Sequence, residues 1–254
     1  MLVKAIKTRS LIPPQDNLLS VIKESVLEIK EKSVIVITSK VVSIWRGDCL
    51  KISQIEDKDS LIKKEADLYI DRTNDLPESV MLTIKNNILI PTSGIDESNA
   101  NGYYILWPKN PAKDAKEIYQ YIKKEFKLKN FGVIISDSHT TPLRTGIMGI
   151  GIAYYGFYPL RDYRNKKDIF GRKLKMSQTN IVDSLCAAAV YEMGEGAEQT
   201  PIAIIEDAGN IKFEIKTHKK DPLLIGIDED IYAPFLKSVK WKTLRRDSWQ
   251  EGGK

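Results

Sequence analysis

The chain has 254 residues, of which 42% are hydrophobic and 29% are charged, and this balance excludes a disordered or fibrous protein. The length suits one large domain or two interleaved subdomains. The formal charge is only +5, which suits a protein that binds phosphates or carboxylates. Part of the basic excess lies near the C-terminus, and nucleic-acid binding through that segment is the weakest alternative.

The sequence gives no sign of export or membrane insertion. No window approaches the roughly 18 apolar residues that a membrane span requires, and the N-terminus lacks the apolar core of a signal peptide. The two cysteines, Cys49 and Cys186, lack the CxxC spacing of a zinc site, and Cys186 lies in an apolar segment. We therefore expect a cytoplasmic protein with no membrane or nucleic-acid partner.

Hydrophobic periodicity and turn residues predict the elements of the first ninety residues. Asp16 is the expected N-cap of the first helix, and Asn86-Asn87 is the expected hairpin turn. The predicted elements are a strand at 2–6, a helix at 17–30, a buried strand at 33–38, a charged helix at 53–73 and a hairpin within 80–90.

The second part of the chain mixes helices and strands without regular βαβ alternation, which favours an α+β fold with a mixed sheet. The glycines of residues 146–156 do not follow the GxGxxG spacing, so a buried strand with close backbone contacts is favoured over a dinucleotide loop. The predicted elements are helices at 112–126 and 179–193, strands at 131–135 and 202–205, and a helix in the last 30 residues. We expect one domain at 1–246 and a disordered tail at 247–254.

Three polar clusters interrupt the apolar segments, and each contains an acidic residue. They lie at 92–99, after the hairpin; at 136–142, directly after a buried strand; and at 193–200, after a helix that Gly194 ends. Carboxylate and hydroxyl oxygens are the ligands that Mg²⁺ or Mn²⁺ prefers, with phosphate oxygens completing the shell. Converging acids would hold a metal-bound nucleotide, without a P-loop. The alternative is that Asp137 caps a turn and Glu195 faces solvent.

Other polar residues leave the choice between function and structure open. His139 lies within the second cluster, and His218 is the other histidine of the chain. Arginines at 144, 161, 164 and 172 suit bidentate binding of carboxylate or phosphate. Ion pairing of Arg161 and Arg172 with Asp162 and Asp168 is an equally good alternative.

Several short segments together resemble the coenzyme F-420:L-glutamate ligase family in order and spacing. The resemblance covers most of residues 1–210, and the ordered set is more specific than any one motif. The segments are Thr38-Ser39-Lys40, Gly94-Ile95-Asp96-Glu97-Ser98-Asn99, Ile135-Ser136-Asp137-Ser138, Asp168-Ile169-Phe170-Gly171-Arg172-Lys173-Leu174 and Met193-Gly194-Glu195-Gly196.

The resemblance implies a metal- and nucleotide-dependent ligase with an uncommon α+β fold and an intertwined homodimer. It implies a two-metal site for Mg²⁺ or Mn²⁺ at Asp96, Asp137, Ser138 and Glu195, of which Asp96, Asp137 and Glu195 are the catalytic residues. GTP or ATP would be the co-substrate. The implied nucleotide-binding residues are Ser10, Leu11, Ile12, Pro13, Thr38, Ser39, Asn99, Met193, Gly194, Gly196, Ala197, Glu198, Gln199 and Thr200.

The expected reaction joins L-glutamate to the acidic tail of a coenzyme through an acyl phosphate. Two departures from the family pattern bear on the acceptor: Ile44 replaces a usual second lysine, and His139-Thr140 replaces a usual glycine-arginine pair. Both favour keeping a folate-tail ligase beside the deazaflavin ligase as an alternative. A non-catalytic nucleotide- or flavin-binding protein on the same scaffold is a second alternative.

Overall fold

The structure is a computed structural model that describes residues 1–72, 80–215 and 220–244. None of the helices in these ranges is both long enough and apolar enough to cross a membrane. His218 and the predicted tail at 247–254 lie outside the described residues.

Six helices and twelve strands are described in these ranges. The helices are α1 Leu18–Ser25, α2 Ser39–Arg46, α3 Lys58–Glu65, α4 Pro111–Glu125, α5 Ile181–Met193 and α6 Ala233–Ser238. The strands are β1 Leu2–Ile6, β2 Val34–Thr38, β3 Cys49–Lys51, β4 Leu68–Tyr69, β5 Leu82–Lys85, β6 Ile88–Pro91, β7 Tyr103–Ile105, β8 Gly132–Thr140, β9 Ile147–Tyr155, β10 Leu160–Asp162, β11 Gln178–Asn180 and β12 Ile202–Glu206.

The main sheet has five strands in the order β1-β12-β2-β8-β9. Strands β2 and β8 run parallel, whereas the other neighbouring pairs are antiparallel, so the sheet is mixed as the sequence predicts. Smaller sheets pair β10 with β11, β3 with β7, and β4 with β5 and β6. The α+β prediction is confirmed, and the main sheet is the platform on which the rest of the chain packs.

Alternating residues of the central strands face two separate cores. Ile35 and Ile37 of β2 face the core that contains α1, α2 and α4. Val34 and Val36 of the same strand face the core that contains α5. Because successive side chains of a strand point to opposite faces, this short apolar strand is buried on both sides, as its uninterrupted hydrophobic run predicts.

The glycines of β9 allow α5 to lie directly on the sheet. A Cβ atom at Gly149 would lie 2.4 Å from the Cys186 carbonyl oxygen, and one at Gly151 would lie 2.2 Å from a Val182 methyl group. Both distances are too short for a real side chain, so only glycine permits this helix-to-strand spacing. The prediction of a glycine-rich strand with close backbone contacts is confirmed.

Several elements agree with the sequence predictions. The first strand, the buried second strand, the hairpin at Asn86-Asn87, the fourth helix and the last strand of the main sheet lie where the patterns indicate. Cys186 is a residue of α5, and it is fully buried in the core between this helix and the main sheet. Helix α5 begins after Asn180, which accepts a hydrogen bond from the Asp183 amide, and ends at Gly194 with φ of 74°.

The predicted first helix is wrong in its cap and its length. Its N-cap is Asn17, whose side chain accepts a hydrogen bond from Ser20 N, while Asp16 pairs with Arg9. The helix ends at Ser25, but Val26 and Ile29 remain buried in a segment without regular secondary structure. The helical spacing of the apolar residues therefore predicted correctly that Val26 and Ile29 are buried, but it predicted the wrong backbone conformation for them.

Three further predictions are corrected. Residues 53–72 contain α3 and the edge strand β4 rather than one helix, because Leu68 and Tyr69 pair with β5. The described part of the C-terminal 30 residues contains the short helix α6 and a 3-10 turn at Ile227–Glu229 rather than one long helix. The second polar cluster does not follow its strand, because β8 continues to Thr140 through pairing with β9.

Candidate active site

A cavity of about 500 Å³ lies where β2 ends and the neighbouring strand β8 continues past it. Its walls come from the segment after β1, the start of α2, the loop before β7, strand β8 and the loop after α5. The structure brings together in this lining all the residues that the resemblance implies: Ser10, Leu11, Ile12, Pro13, Thr38, Ser39, Asp96, Asn99, Asp137, Ser138, Met193, Gly194, Glu195, Gly196, Ala197, Glu198, Gln199 and Thr200.

The first turn of α2 forms one wall of the cavity. Thr38 is its N-cap residue, and the Thr38 side chain makes no capping hydrogen bond. The first amide groups of a helix have no partner within the helix, and they carry partial positive charge. Ser39 and Lys40 therefore belong to a wall that favours an anion such as phosphate.

The loop after α5 is held in place by hydrogen bonds to two other segments and by one within the loop. Asn99 Nδ2 donates to the Gly196 carbonyl at 2.9 Å, and Gly196 N donates to Glu198 Oε2 at 2.8 Å. Gln199 Nε2 donates to Ser10 Oγ at 3.0 Å. These contacts join the first and third polar clusters and the N-terminal segment into one continuous rim.

Asp96 is held by a cation and by its own turn. Lys40 Nζ lies 2.6 Å from Asp96 Oδ2, and Ser98 donates its amide and hydroxyl to Asp96 Oδ1 at 2.7 and 2.8 Å. Burial alone would raise the pKa of Asp96, but the Lys40 ammonium and the Ser98 donors lower that pKa below its ordinary value. The Asp96 carboxylate is therefore kept ionised.

The surroundings of Asp137 raise its pKa, whereas those of Asp96 lower the pKa of Asp96. Its Oδ1 accepts the Ser138 amide at 2.9 Å, and its Oδ2 accepts the indole N–H of Trp107. Burial raises the pKa of Asp137 to about 6, and the charges of Asp96 and Glu195 raise it as well. A carboxylate in this position costs folding free energy, which makes it a candidate functional group.

The second and third clusters meet through Ser138, whose hydroxyl donates to Glu195 Oε1 at 2.6 Å. The carboxylates of Asp96, Asp137, Glu195 and Glu198 thus belong to one cavity, which the Ser138 hydroxyl and the Lys40 ammonium also line. In the described part of the chain, no three acidic, histidine or cysteine side chains are close enough to hold one ion together. The acids are neighbours rather than a preassembled cage.

This donor set fits a divalent cation. Its members offer hard oxygen ligands, and the fields of Asp96 and Glu195 at Asp137 show that negative charge accumulates in one place. A bound cation would remove this repulsion, and phosphate oxygens of a ligand would complete its coordination. The residues present therefore suit Mg²⁺ or Mn²⁺ held jointly with a nucleotide.

Sequence analysis missed several residues of the cavity and its surroundings. Lys40, quoted in a motif but given no role, lines the cavity, and so does Arg9 beside Ser10. Ile44, noted in the sequence as a departure from the family pattern, lines the cavity as well. Lys40 directly follows Ser39 at the end of a predicted strand, and this position in the sequence could have identified it as a site residue. Trp107 supports Asp137 from a distance of 30 residues, and no local pattern in the sequence indicates that contact.

Other polar residues singled out from the sequence lie outside the cavity lining. His139 is half-buried and pairs in register with Met148, and burial lowers the pKa of His139. Asp162 pairs with Arg164 at 2.5 Å rather than with Arg161 or Arg172. Asp168 accepts the amides of Phe170 and Arg172 and so closes a turn.

Comparison with known proteins agrees with this geometry. A family model described as F420-0:gamma-glutamyl ligase matches residues 6–207, a range that contains every acid of the cavity. The chain belongs to the F420-0:gamma-glutamyl ligase family. It is a ligase, and the matched range ends just after the last strand of the main sheet.

Three relatives named coenzyme F420:L-glutamate ligase illustrate the similarity. The Methanococcus maripaludis strain C7 protein is 34% identical over 217 residues, covering 80% of this chain and 86% of the relative. The Methanocaldococcus jannaschii protein is 34% identical over 223 residues, with the same two coverages. The Methanopyrus kandleri protein is 31% identical over 210 residues, covering 76% and 81%.

The raised pKa of Asp137 predicts that Asp137→Asn gains stability relative to the native ligase as pH rises from 4 to 7. The folded state holds the Asp137 proton to about pH 6, above the unfolded value, so deprotonation weakens the native fold within this window. The expected change in the free energy of unfolding is at most about 3 kcal/mol, measured by urea denaturation at several pH values.

The stability of the Glu206→Gln variant relative to the native protein should change with pH in the opposite direction. Lys30 and Lys4 lower the pKa of Glu206, so its stabilising contribution is present above the ordinary glutamate pKa and is lost on acidification. The Glu206 variant should therefore lose more stability at pH 7 than at pH 3. Equal pH slopes for the two variants would contradict the electrostatic assignment of Asp137.

Proposed function

We propose that the chain is a nucleotide triphosphate- and metal-dependent γ-glutamyl ligase that adds L-glutamate to the acidic tail of a coenzyme of the F420-0 type. The observation that carries the proposal is the convergence of Asp96, Asp137 and Glu195 with the start of α2 in one cavity. The relatives are coenzyme F420:L-glutamate ligases by name, and this name suggests the acceptor and the amino acid.

The phosphates of GTP or ATP would bind against the start of α2. The amide groups of its first turn and the Lys40 ammonium favour phosphate there. Asn99 and the loop at 193–200 form the adjoining rim, which suits the remainder of the nucleotide.

Asp96, Asp137, Ser138 and Glu195 would hold Mg²⁺ or Mn²⁺. A bound divalent ion neutralises charge on the transferring phosphoryl group and aligns it with the attacking oxygen. Lys40 pairs with Asp96 in the described structure. When a cation binds beside Asp96, the Lys40 ammonium would leave that carboxylate and pair with a phosphate oxygen.

The proposed reaction has two balanced steps. A carboxylate oxygen of the acceptor attacks the γ-phosphorus, the bond to the nucleoside diphosphate breaks, and an acyl phosphate forms. The amine of L-glutamate then attacks the acyl carbon, inorganic phosphate leaves, and the amine loses a proton to form the amide. Side chains of the cavity contribute mainly through position and charge, as is usual for phosphoryl transfer.

The acceptor and the nucleotide form one prediction. F420-0 should be glutamylated in the presence of L-glutamate and GTP or ATP, whereas tetrahydrofolate should give no product. The products are to be measured by mass spectrometry for each acceptor with each nucleotide. Glutamylation of tetrahydrofolate alone would establish the folate-tail alternative, and nucleotide binding without any product would favour the non-catalytic alternative.

The cavity acids form another prediction. Asp137→Ala and Asp96→Asn should each lower glutamate-dependent nucleotide hydrolysis by about 10² to 10⁴, because each change removes a charge that positions the phosphoryl group. Glu97→Gln is the matched control: Glu97 adjoins Asp96 but pairs with Lys58 at 3.0 Å and does not line the cavity.

The control variant should retain nearly full activity, and circular dichroism should show an unchanged fold for all three proteins. Native turnover in Asp137→Ala would refute the assignment of the cavity as the active site. Equal losses in Glu97→Gln and Asp96→Asn would show that general surface charge, rather than cavity position, determines the rate.

We also propose that the chain forms a homodimer. Ile169 and Phe170 support this, because these adjacent apolar side chains are 92% and 89% exposed at the turn closed by Asp168. Analytical ultracentrifugation should give twice the chain mass of 28.8 kDa, and Phe170→Asp should shift the protein toward the monomer. Leu27→Asp, at another exposed apolar position, should not; a monomeric native protein would contradict the proposal.

A further inference from the structure

Trp107 is a buried side chain outside the cavity whose one polar atom is directed at a cavity acid. Only 2% of Trp107 is exposed, and it packs in a small cluster with Ile88 and Ile90 of the hairpin. Its indole N–H donates to Oδ2 of Asp137. A buried indole usually requires a hydrogen-bond acceptor, and here the acceptor is the most electrostatically perturbed carboxylate of the site.

The backbone before Asp96 is shaped around this indole. Gly94 has φ of 68°, and a Cβ atom there would lie 2.1 Å from the indole nitrogen of Trp107. Both the positive φ and the contact require glycine at this position. The turn that leads into Asp96 and the donor that holds Asp137 are therefore in direct contact.

The Asp137 carboxylate is held by one donor on each oxygen. The Ser138 amide donates to Oδ1 and the Trp107 indole donates to Oδ2. Two donors on different oxygens fix the rotation of the carboxylate plane, and each oxygen keeps a further lone pair. Outer hydrogen bonds of this kind commonly orient metal-binding carboxylates.

We propose that Trp107 is a positioning residue that fixes the orientation of the Asp137 carboxylate for a divalent cation. The inference rests on the proposed metal-dependent function of the cavity. It assigns to Gly94 a role through Trp107, because the glycine leaves the space that the indole needs to reach Asp137.

The test replaces Trp107 with 3-benzothienylalanine, which keeps the shape of the side chain and exchanges the N–H for sulfur. The affinity of the chain for Mn²⁺ in the presence of nucleotide, measured by electron paramagnetic resonance, should fall about tenfold or more. The urea midpoint of unfolding reports any general loss of structure. The same replacement at Trp241, whose indole donates to the Leu236 carbonyl, is the matched control and should leave Mn²⁺ affinity unchanged.

A second measurement does not depend on metal. The indole proton of Trp107 should move upfield in the NMR spectrum of Asp137→Asn at pH 7.5, because a neutral amide is a weaker acceptor than a carboxylate. The indole proton of Trp241 should not move. An unmoved Trp107 signal would overturn the inference whatever the chain catalyses.

The two measurements separate the possible failures. Unchanged Mn²⁺ affinity and turnover in the benzothienyl protein would show that the N–H positions nothing of consequence, and the inference would be wrong. Absence of Mn²⁺ binding by the native chain together with the expected proton shift would refute the proposed metal-dependent function but retain the contact that orients Asp137. A loss of affinity equal to that of the Trp241 control would also overturn the inference.

Discussion

The parallel pairing of β2 and β8 is the constraint on which the site depends. Thr38 lies opposite Ser136 in this pair, so the start of α2 lies beside Asp137, the next residue of β8. An antiparallel arrangement would put them at opposite ends. The two cores, one on each face of the sheet, keep these central strands buried and in register. The phosphate-favouring helix start and the cation-favouring acids therefore have a common origin in one strand pairing.

Charge in the cavity is arranged at a cost to the fold. Lys40 neutralises Asp96, but in the described structure Asp137 has two neutral donors and the repulsion of neighbouring acids. A protein optimised only for stability would replace Asp137 with a neutral residue. Its retention in this family member is understandable if binding energy from ligands offsets the repulsion during catalysis.

Sequence patterns predicted the buried strands, the hairpin and α5 well, because each depends on local periodicity and turn chemistry. Helical spacing of apolar residues cannot distinguish a helix from buried irregular chain, which explains the error at Val26 and Ile29. The site residues came from ordered motifs, and the structure collects them in one cavity. Trp107 could not be predicted, because its contact with Asp137 depends on how the hairpin packs against β8. Likewise, the extension of β8 through the second cluster depends on pairing with β9.

The glycines of β9 have a mechanical consequence. Because β9 has no side chain at Gly149, the backbone of α5 packs there directly against the backbone of the strand. Sliding of the helix would require strand and helix to separate, so the pair behaves as a stiff frame. The loop that contains Glu195 leaves from the end of this frame, and Asp137 lies in the strand beside β9. A frame of this kind limits how far Glu195 and Asp137 can approach or separate.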